Sequence, residues 1–341
     1  MKIAIISVSK KGYELSLKLK ELLDKDSTVI KTDLFHKNVK DAFSYAFSEY
    51  DGIIAIMASG ILIRSIAPLI NSKISDPAIV NMDDNGKFVI STLSGHLGGA
   101  NKLTNKIASL IDATPVITTS TDVNKKLGID VLAKDLYLDV INPEEILFFN
   151  KSILEGRKLN FYLNPDKNFS YLFTYLNKNT LEINLSISYS SKIKNDEIHI
   201  ILDEHELILK ERKIVVGIGC KREKECSYIY NGFKQSLDEL DLDISRVNLI
   251  ASAEIKKDEK GLIELSQTLE IPLQFVSMDK LKLFKSNDVQ KSEFVYSKFG
   301  IYGVCEPSAL ICAGFDSKLL YKKTSYNGVT ISVAISKKNK Y

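Results

Sequence analysis

The sequence predicts an α/β protein, with two α/β domains of largely parallel sheets joined by a small α+β middle segment. Three observations carry this. Short apolar runs alternate with helix-spaced apolar patterns over about residues 1–135, the signature of a largely parallel sheet. The same alternation starts afresh at Lys213, giving a second α/β domain over 212–341. Between them, residues 136–211 are rich in Asn, Lys, Phe and Tyr and lose the rhythm, so they read as a linking domain.

The elements follow in order. Lys2–Val8 is an apolar run of strand length, and Leu15, Leu19, Leu22 and Leu23 recur behind it at helix spacing, with Leu17 off that face. Gly52–Ala58 is a buried-type strand leading through Ser59-Gly60 into a helical pattern at Leu62, Ile66 and Leu69. Ala78–Met82 and Lys87–Thr92 form a hairpin around Asp84-Asn85-Gly86, because Asn-Gly tolerates the positive φ angles of a tight turn. The glycine-rich loop Ser94–Gly99 opens a helix with Ala100, Leu103, Ile107, Leu110 and Ile111 on one face, and Pro115–Thr118 is the next strand. In the middle block Leu181, Ile183, Leu185 and Ile187 alternate as in a half-exposed strand, and His199 and His205 sit among strand-like residues. The second domain opens with the strand Ile214–Cys220 and a periodic helix at Cys226, Ile229, Phe233, Leu237 and Leu240. A strand (Asn248–Ala253), a helix (Gly261–Leu269) and another strand (Leu273–Val276) come next. Glu306-Pro307-Ser308 starts a short helix with Pro307 at its first position, and Leu319–Tyr326 and Val329–Ile335 close a hairpin on Asn327-Gly328.

Composition narrows the function. Hydrophobic residues are 45% and charged residues 26% of 341, ordinary for a globular chain with a sizeable core. A net charge of +3 is too small for a protein that gains affinity by neutralising many phosphates, and residues 51–130 hold seven Lys/Arg against seven Asp/Glu. Arg64 interrupts the longest apolar stretch, Ile53–Ile70, short of the ~18 residues of a membrane span. The N-terminal apolar stretch is too short for a signal peptide, so a cytosolic protein is expected. Cys220 and Cys226, and Cys305 and Cys312, lie at spacings that suit neither a metal site nor a disulfide framework, and the four histidines are scattered.

Chemistry concentrates in a few segments. Ser91–Asn101 follows a strand, carries Gly95, Gly98 and Gly99, and feeds a helix N-terminus, where backbone N–H groups and the helix dipole favour an anion. Ser94, Gly95, Gly98, Gly99 and Asn101 are therefore candidate binding residues, and His96 a candidate acid or base. The bland alternative is a tight turn capped by a histidine. Ser59, Gly60 and Arg64 follow one strand, and Thr118, Thr119, Ser120, Thr121 and Asp122 follow another. Both segments are expected to converge with the glycine loop on one edge of the sheet, where open α/β sheets bind ligands. Arg64 either clamps an acidic group or is a solvated helix residue, and Thr121 or Asp122 could simply cap a helix. Gly217-x-Gly219 lacks the third glycine of a dinucleotide fingerprint. Gly303–Leu310 places Cys305 and Glu306 at a helix start, where a thiol can be activated or can simply be buried.

The segments Met57–Pro68 (MASGILIRSIAP), Ser75–Val80 (SDPAIV), Ser91–Asn101 (STLSGHLGGAN) and Thr114–Val123 (TPVITTSTDV) resemble the N-terminal domain of the CbiG family, the cobalt-precorrin 5A hydrolases of anaerobic cobalamin biosynthesis. Ile214–Cys220, Gly303–Leu310 and Gly328–Ala334 look like that family's C-terminal domain, which is also similar to the stand-alone protein CobE. The resemblance implies a hydrolase that opens the δ-lactone of cobalt-precorrin 5A, releases acetaldehyde and yields cobalt-precorrin 5B. It implies a polycarboxylate tetrapyrrole substrate that brings its own cobalt, no intrinsic cofactor, and transient contact with other enzymes of the pathway, while the charge and the apolar runs give the expectation of no nucleic-acid or membrane partner. His96, Asp122 and Glu306 are the candidate proton-transfer groups. Ser59, Gly60, Arg64, Ser94–Asn101, Thr118–Thr121, Gly217 and Gly219 are the candidate binding residues. The competing reading is a non-catalytic carrier of an unstable corrin intermediate, which would release no acetaldehyde. The sequence leaves the oligomeric state open.

Overall fold

A computed structural model describes residues 1–72, 75–119, 128–178 and 184–338. The chain divides into two compact units. One comprises Met1–Asp135, Pro143–Leu159 and Leu181–Ser186, and the other Leu136–Asn142, Asn160–Thr180 and Ile187–Tyr341. Among the described residues no helix is long and apolar enough to cross a membrane.

The first unit is built on a six-stranded sheet: β1 (Lys2–Ser7), β2 (Lys31–His36), β3 (Gly52–Ile56), β4 (Ala78–Met82), β5 (Phe88–Leu93) and β6 (Thr114–Val116), in the order β2-β1-β3-β4-β5-β6. Its central strands are apolar at consecutive positions because both faces are covered. Ile3, Ile5, Ile54 and Val80 pack under α1 (Lys10–Asp24) and α4 (Ala100–Ile111), through Leu19, Leu23, Leu103 and Ile107. Ala4, Ile6, Ile53 and Ile79 pack under α2 (Val39–Glu49) and α3 (Ser59–Ile66), through Phe43, Leu62 and Ile66. Phe43 is fully buried there, and truncation to Ala would cost about 3–5 kcal/mol. Ser9 starts α1 as its N-cap, its Oγ accepting the Gly12 N–H at 2.9 Å and donating to Asp84 Oδ2 at 2.6 Å.

One pairing decides where the site lies. β1, β2, β3 and β4 run parallel, but β5 returns antiparallel beside β4, and β6 runs parallel to β5. The reason is the expected hairpin. Asp83 folds residues 83–88 into a turn, its carboxylate accepting the N–H groups of Asn85, Lys87 and Phe88 at 2.8–3.0 Å. Gly86 alone has positive φ (66°), so this is a five-residue loop rather than a two-residue turn. The C-terminal hairpin differs: Asn327 (43°) and Gly328 (85°) are both left-handed and form the two-residue loop.

Two helices, α5 (Ile129–Asp135) and α6 (Ile146–Leu154), belong to the first unit. The middle stretch otherwise supplies β7 (Leu138–Val140), β8 (Leu159–Leu163), β9 (Leu185–Tyr189), β10 (Glu197–Leu202) and β11 (His205–Glu211), in the order β7-β11-β10-β8-β9, together with α7 (Ser170–Lys178). His199 on β10 is held between Glu197 and Glu206 at 3.3 and 2.7 Å, with 13% of its side chain exposed rather than at the open surface.

A third sheet in the second unit has the order β14-β13-β12-β16-β15. β12 (Ile214–Cys220), β13 (Leu249–Ala253) and β14 (Leu273–Val276) are parallel, whereas β15 (Lys318–Tyr326) and β16 (Val329–Ile335) form the antiparallel hairpin. Helices α8 (Cys226–Glu239) and α9 (Lys260–Leu269) cover one face through Ile229, Phe233, Leu262 and Leu265. Two shorter helices, α10 (Met278–Leu283) and α11 (Glu293–Phe299), precede α12 (Cys305–Ala313), in which Pro307 is the third residue rather than the first. That position still lies in the first turn, where a missing N–H costs nothing. Arg246 is fully buried, donating from Nε to Leu136 O (2.8 Å) and from Nη2 to Tyr137 O (2.9 Å) and Arg212 O (2.6 Å). It staples three backbone carbonyls from inside the unit.

Candidate active site

Because β5 is antiparallel, the three segments expected to converge are divided between opposite edges of the first sheet. The glycine loop and the hydroxyl run follow the ends of β5 and β6. Ser59, Gly60 and Arg64 follow β3, which ends at the other edge. Six residues of β5 put about 17 Å between the edges at ~3.4 Å per residue. Ser120, Thr121 and Asp122 lie outside the described residues.

At the first edge the loop is shaped by backbone constraints. Ser94 takes positive φ (57°), as does Gly99 (93°), the residue before α4. A Cβ on Gly98 would collide with Ser94, and one on Gly99 with the ammonium of Lys134 from α5. The loop then bonds back to its own helix: Ala100 N–H donates to Ser94 O and Asn101 N–H to Gly95 O, each at 3.1 Å. Those two amides are therefore spent within the loop, which narrows the anion cradle expected from the sequence. Asn101, 7% exposed, ties the two strands' ends together, accepting from Ser91 Oγ at 2.6 Å and donating to Thr119 Oγ1 at 2.8 Å. Thr118 is exposed. Ser94 Oγ is enclosed and has no hydrogen-bond partner among the described residues.

His96 finds an acid that the sequence reading missed. Its Nδ1 lies 3.2 Å from Asp130 Oδ2 at the start of α5, and both side chains are nearly enclosed. Asp130 Oδ1 accepts from Asn150 Nδ2 of α6 at 2.9 Å, and Asn150 Oδ1 accepts the Ile129 N–H at 2.8 Å. Burial pushes the Asp130 carboxyl up, but the hydrogen bonds from His96 and Asn150 and the charge of His96 outweigh it and hold the group below its ordinary value of 3.8. The ionised Asp130 therefore faces His96 with a charge opposite in sign to the helix N-terminus that was expected to act on it. The available signal was an acid in the first turn of a helix soon after the hydroxyl run.

At the opposite edge Ser59 Oγ donates to Asn81 Oδ1 at 2.6 Å, and the buried Asn81 donates to Ala55 O (3.0 Å) and Met57 O (2.8 Å). Arg64 is exposed, its guanidinium folded back over Gly60. A cavity of about 470 Å³ beside them is lined by Val8, Met57, Ser59, Asn81, Asp83 and Phe88 among others. It is distinct from the His96 loop.

In the second unit the remaining candidates have packing roles. Gly217 and Gly219 lie inside β12 rather than on a loop. A Cβ on Gly217 would collide with the Cys305 carbonyl, and the space beside Gly219 is taken by the Thr330 hydroxyl, so neither offers an open cradle. Glu306, 1% exposed, accepts the Gln290 and Lys323 N–H groups, each at 2.8 Å. Burial raises its carboxyl above the ordinary range despite those bonds. It braces a loop, and its enclosure takes it out of contact with bulk water. Cys305 is buried, and burial, with Glu306 beside it, pushes its thiol up to about 11, the inert reading. Among the described residues no cluster of three or more His, Cys, Asp or Glu is arranged to hold a metal ion.

Comparison with known proteins bears on both units. Residues 41–122 match the family model described as cobalamin synthesis G N-terminal, and residues 214–334 the one described as cobalamin synthesis G C-terminus. The chain is 31% identical to a cobalt-precorrin-5A hydrolase of Priestia megaterium, with 97% of this chain and 94% of that protein aligned. Over 121 residues it is 25% identical to the protein CobE of a Sinorhizobium species, covering 36% of this chain and 79% of that protein. A crystal structure of a cobalamin biosynthesis protein G homologue from Sulfolobus solfataricus superposes with a TM-score of 0.61 at 26% identity, covering 98% of this chain and 97% of that one.

Proposed function

This chain belongs to the CbiG family of cobalamin synthesis, and on that premise we propose that it is a cobalt-precorrin 5A hydrolase, opening the substrate's δ-lactone and releasing the two-carbon unit as acetaldehyde. The observation that carries this is the hydrogen-bonded chain from Asn150 through Asp130 to His96, which stands in the family-matching loop. Lactone hydrolysis needs a base for the attacking water and an acid for the departing oxygen. With Nδ1–H donated to Asp130, His96 presents Nε2 as its basic nitrogen. That nitrogen takes a proton from water as the lactone carbonyl is attacked, and Asp130 steadies the imidazolium that forms. The same proton returns to the oxygen freed when the ring C–O bond breaks, and a second transfer accompanies expulsion of acetaldehyde. Lys134, lying against Gly99, sets positive charge beside the loop, suited to the carboxylate that lactone opening creates and to the substrate's acetate and propionate arms. The cobalt of the reaction is part of the substrate.

The test is incubation of the purified protein with cobalt-precorrin 5A, with the aldehyde trapped as a hydrazone and the corrinoid weighed. The expected product has gained water and lost acetaldehyde. An unchanged corrinoid mass with no trapped aldehyde would overturn the assignment and leave a carrier.

A further inference from the structure

The segment between α10 and α12 carries a surface that the hydrolytic reading does not use. None of the residues of α11 is buried. Phe294 (67%), Tyr296 (45%), Phe299 (42%) and Tyr302 (38%) are all exposed within nine residues, a density of outward rings that single surface hydrophobics do not show. Tyr296 and Tyr302 stack face to face, centroids 4.4 Å apart and planes within 14°. Lysines sit over these rings: Lys298 is 4.5 Å from the Phe294 centroid and Lys291 is 5.3 Å from that of Tyr302. The segment is tied at its ends. The Ser292 N–H donates to Tyr302 O at 2.9 Å, clasping its two ends, and buried Glu306 holds the Gln290 N–H at its base. A braced row of rings flanked by cations matches a flat, apolar body edged with negative charge.

We propose that α11 and its flanks form a docking platform for the face of a polycarboxylate tetrapyrrole, with Phe294 and the unstacked face of Tyr302 against the macrocycle, Tyr296 packed behind Tyr302, and Lys291 and Lys298 on its carboxylates. For the ligand's class this rests on the proposed function, while the surface itself does not. Bound carboxylates draw the two ammonium groups off the rings, and the rings then meet the macrocycle.

The test uses the full chain and uroporphyrin III, an octacarboxylate tetrapyrrole, titrated by absorbance and fluorescence at two salt concentrations. Dicyanocobinamide, whose arms are amides, serves as the uncharged control. The wild type should bind uroporphyrin more weakly as salt rises and bind cobinamide less well. Phe294→Ala/Tyr296→Ala should lose at least tenfold in affinity. Lys291→Ala/Lys298→Ala should lose about tenfold and flatten the salt dependence. All four positions are exposed, so circular dichroism and thermal melts should match the wild type. Unchanged uroporphyrin affinity in both double variants overturns the platform, whatever the aldehyde assay shows. So does a change confined to self-association in sedimentation, which would make the surface an interface between copies. If instead the variants lose binding while the wild type releases no acetaldehyde, the platform stands and the hydrolase reading falls.

Discussion

Asp130→Asn is the sharpest test of the relay, because it changes one atom and little shape. In the wild type the carboxylate accepts on both sides, from His96 at 3.2 Å and from Asn150 at 2.9 Å. An asparagine has one carbonyl oxygen and one amide nitrogen to offer in the same two places. If the oxygen faces His96, two amide NH2 groups oppose each other at Asn150. If the nitrogen faces His96, it donates to Nδ1 and forces the proton to Nε2, the nitrogen that must act as base. Either arrangement removes the charge that steadies the imidazolium. General acid–base assistance is worth roughly 10²–10⁴ in rate, or about 3–5 kcal/mol at ~1.4 kcal/mol per decade. Turnover followed through aldehyde-dependent oxidation of NADH should fall by that factor, with corrinoid affinity little changed. The mismatched buried amide should also cost about 1–3 kcal/mol of stability in urea unfolding. Since the Asp130 carboxyl is held below its ordinary 3.8, its stabilising contribution is complete above that pH and is lost as pH falls through the lower folded value. The variant should lack this acid dependence. A variant that folds and keeps more than about a third of the wild-type rate would show that Asp130 only packs against His96, and the base would have to be sought elsewhere.

Other outcomes follow from the same geometry. Gly98→Ala should destabilise the loop and cut turnover at least tenfold, because its Cβ has no space beside Ser94; wild-type kinetics and melting would contradict the loop conformation. Arg64→Ala should change kcat/KM less than threefold, since Arg64 projects from the edge opposite His96, and a tenfold rise in KM would show that substrate spans both edges. Cys305, with a thiol pushed up to about 11, should resist iodoacetamide at pH 8 in the folded protein, and peptide mapping that finds it alkylated would show that the second unit opens there.

Much of this was legible in the sequence, and where it was not the reasons are physical. Ile214–Cys220 and Ala100–Ile111 coincide with the observed elements because one face or both are uniformly apolar and the ends are marked by charge or glycine. β2 and α2 are hidden from it: β2 mixes Lys31, Thr32, Asp33 and His36 into a strand, and α2 begins at a left-handed Asn38 with no side-chain cap. The register of β2 comes from pairing with β1, a tertiary fact. Asp130 is invisible for a related reason. Its partnership with His96 spans 34 residues and depends on how α5 is placed, which no local spacing encodes.

The misplaced edge is a different kind of miss, since the information was present. Asp84-Asn85-Gly86 is enough to read a hairpin, and a hairpin reverses direction where a crossover would not. Once β5 runs antiparallel to β4, every loop following β5 or β6 must emerge beside the starts of β1, β3 and β4. The rule that ligands gather at the carboxyl ends of parallel strands then holds separately for each direction of strand. It directs attention to both ends of this sheet rather than one: the cavity beside Ser59 follows β3, and the His96 loop follows β5 at the other end. The His96 loop brings a titratable pair, His96 and Asp130, into contact, so the direction of a single strand sets that pair at the end of the sheet away from Ser59 and Arg64.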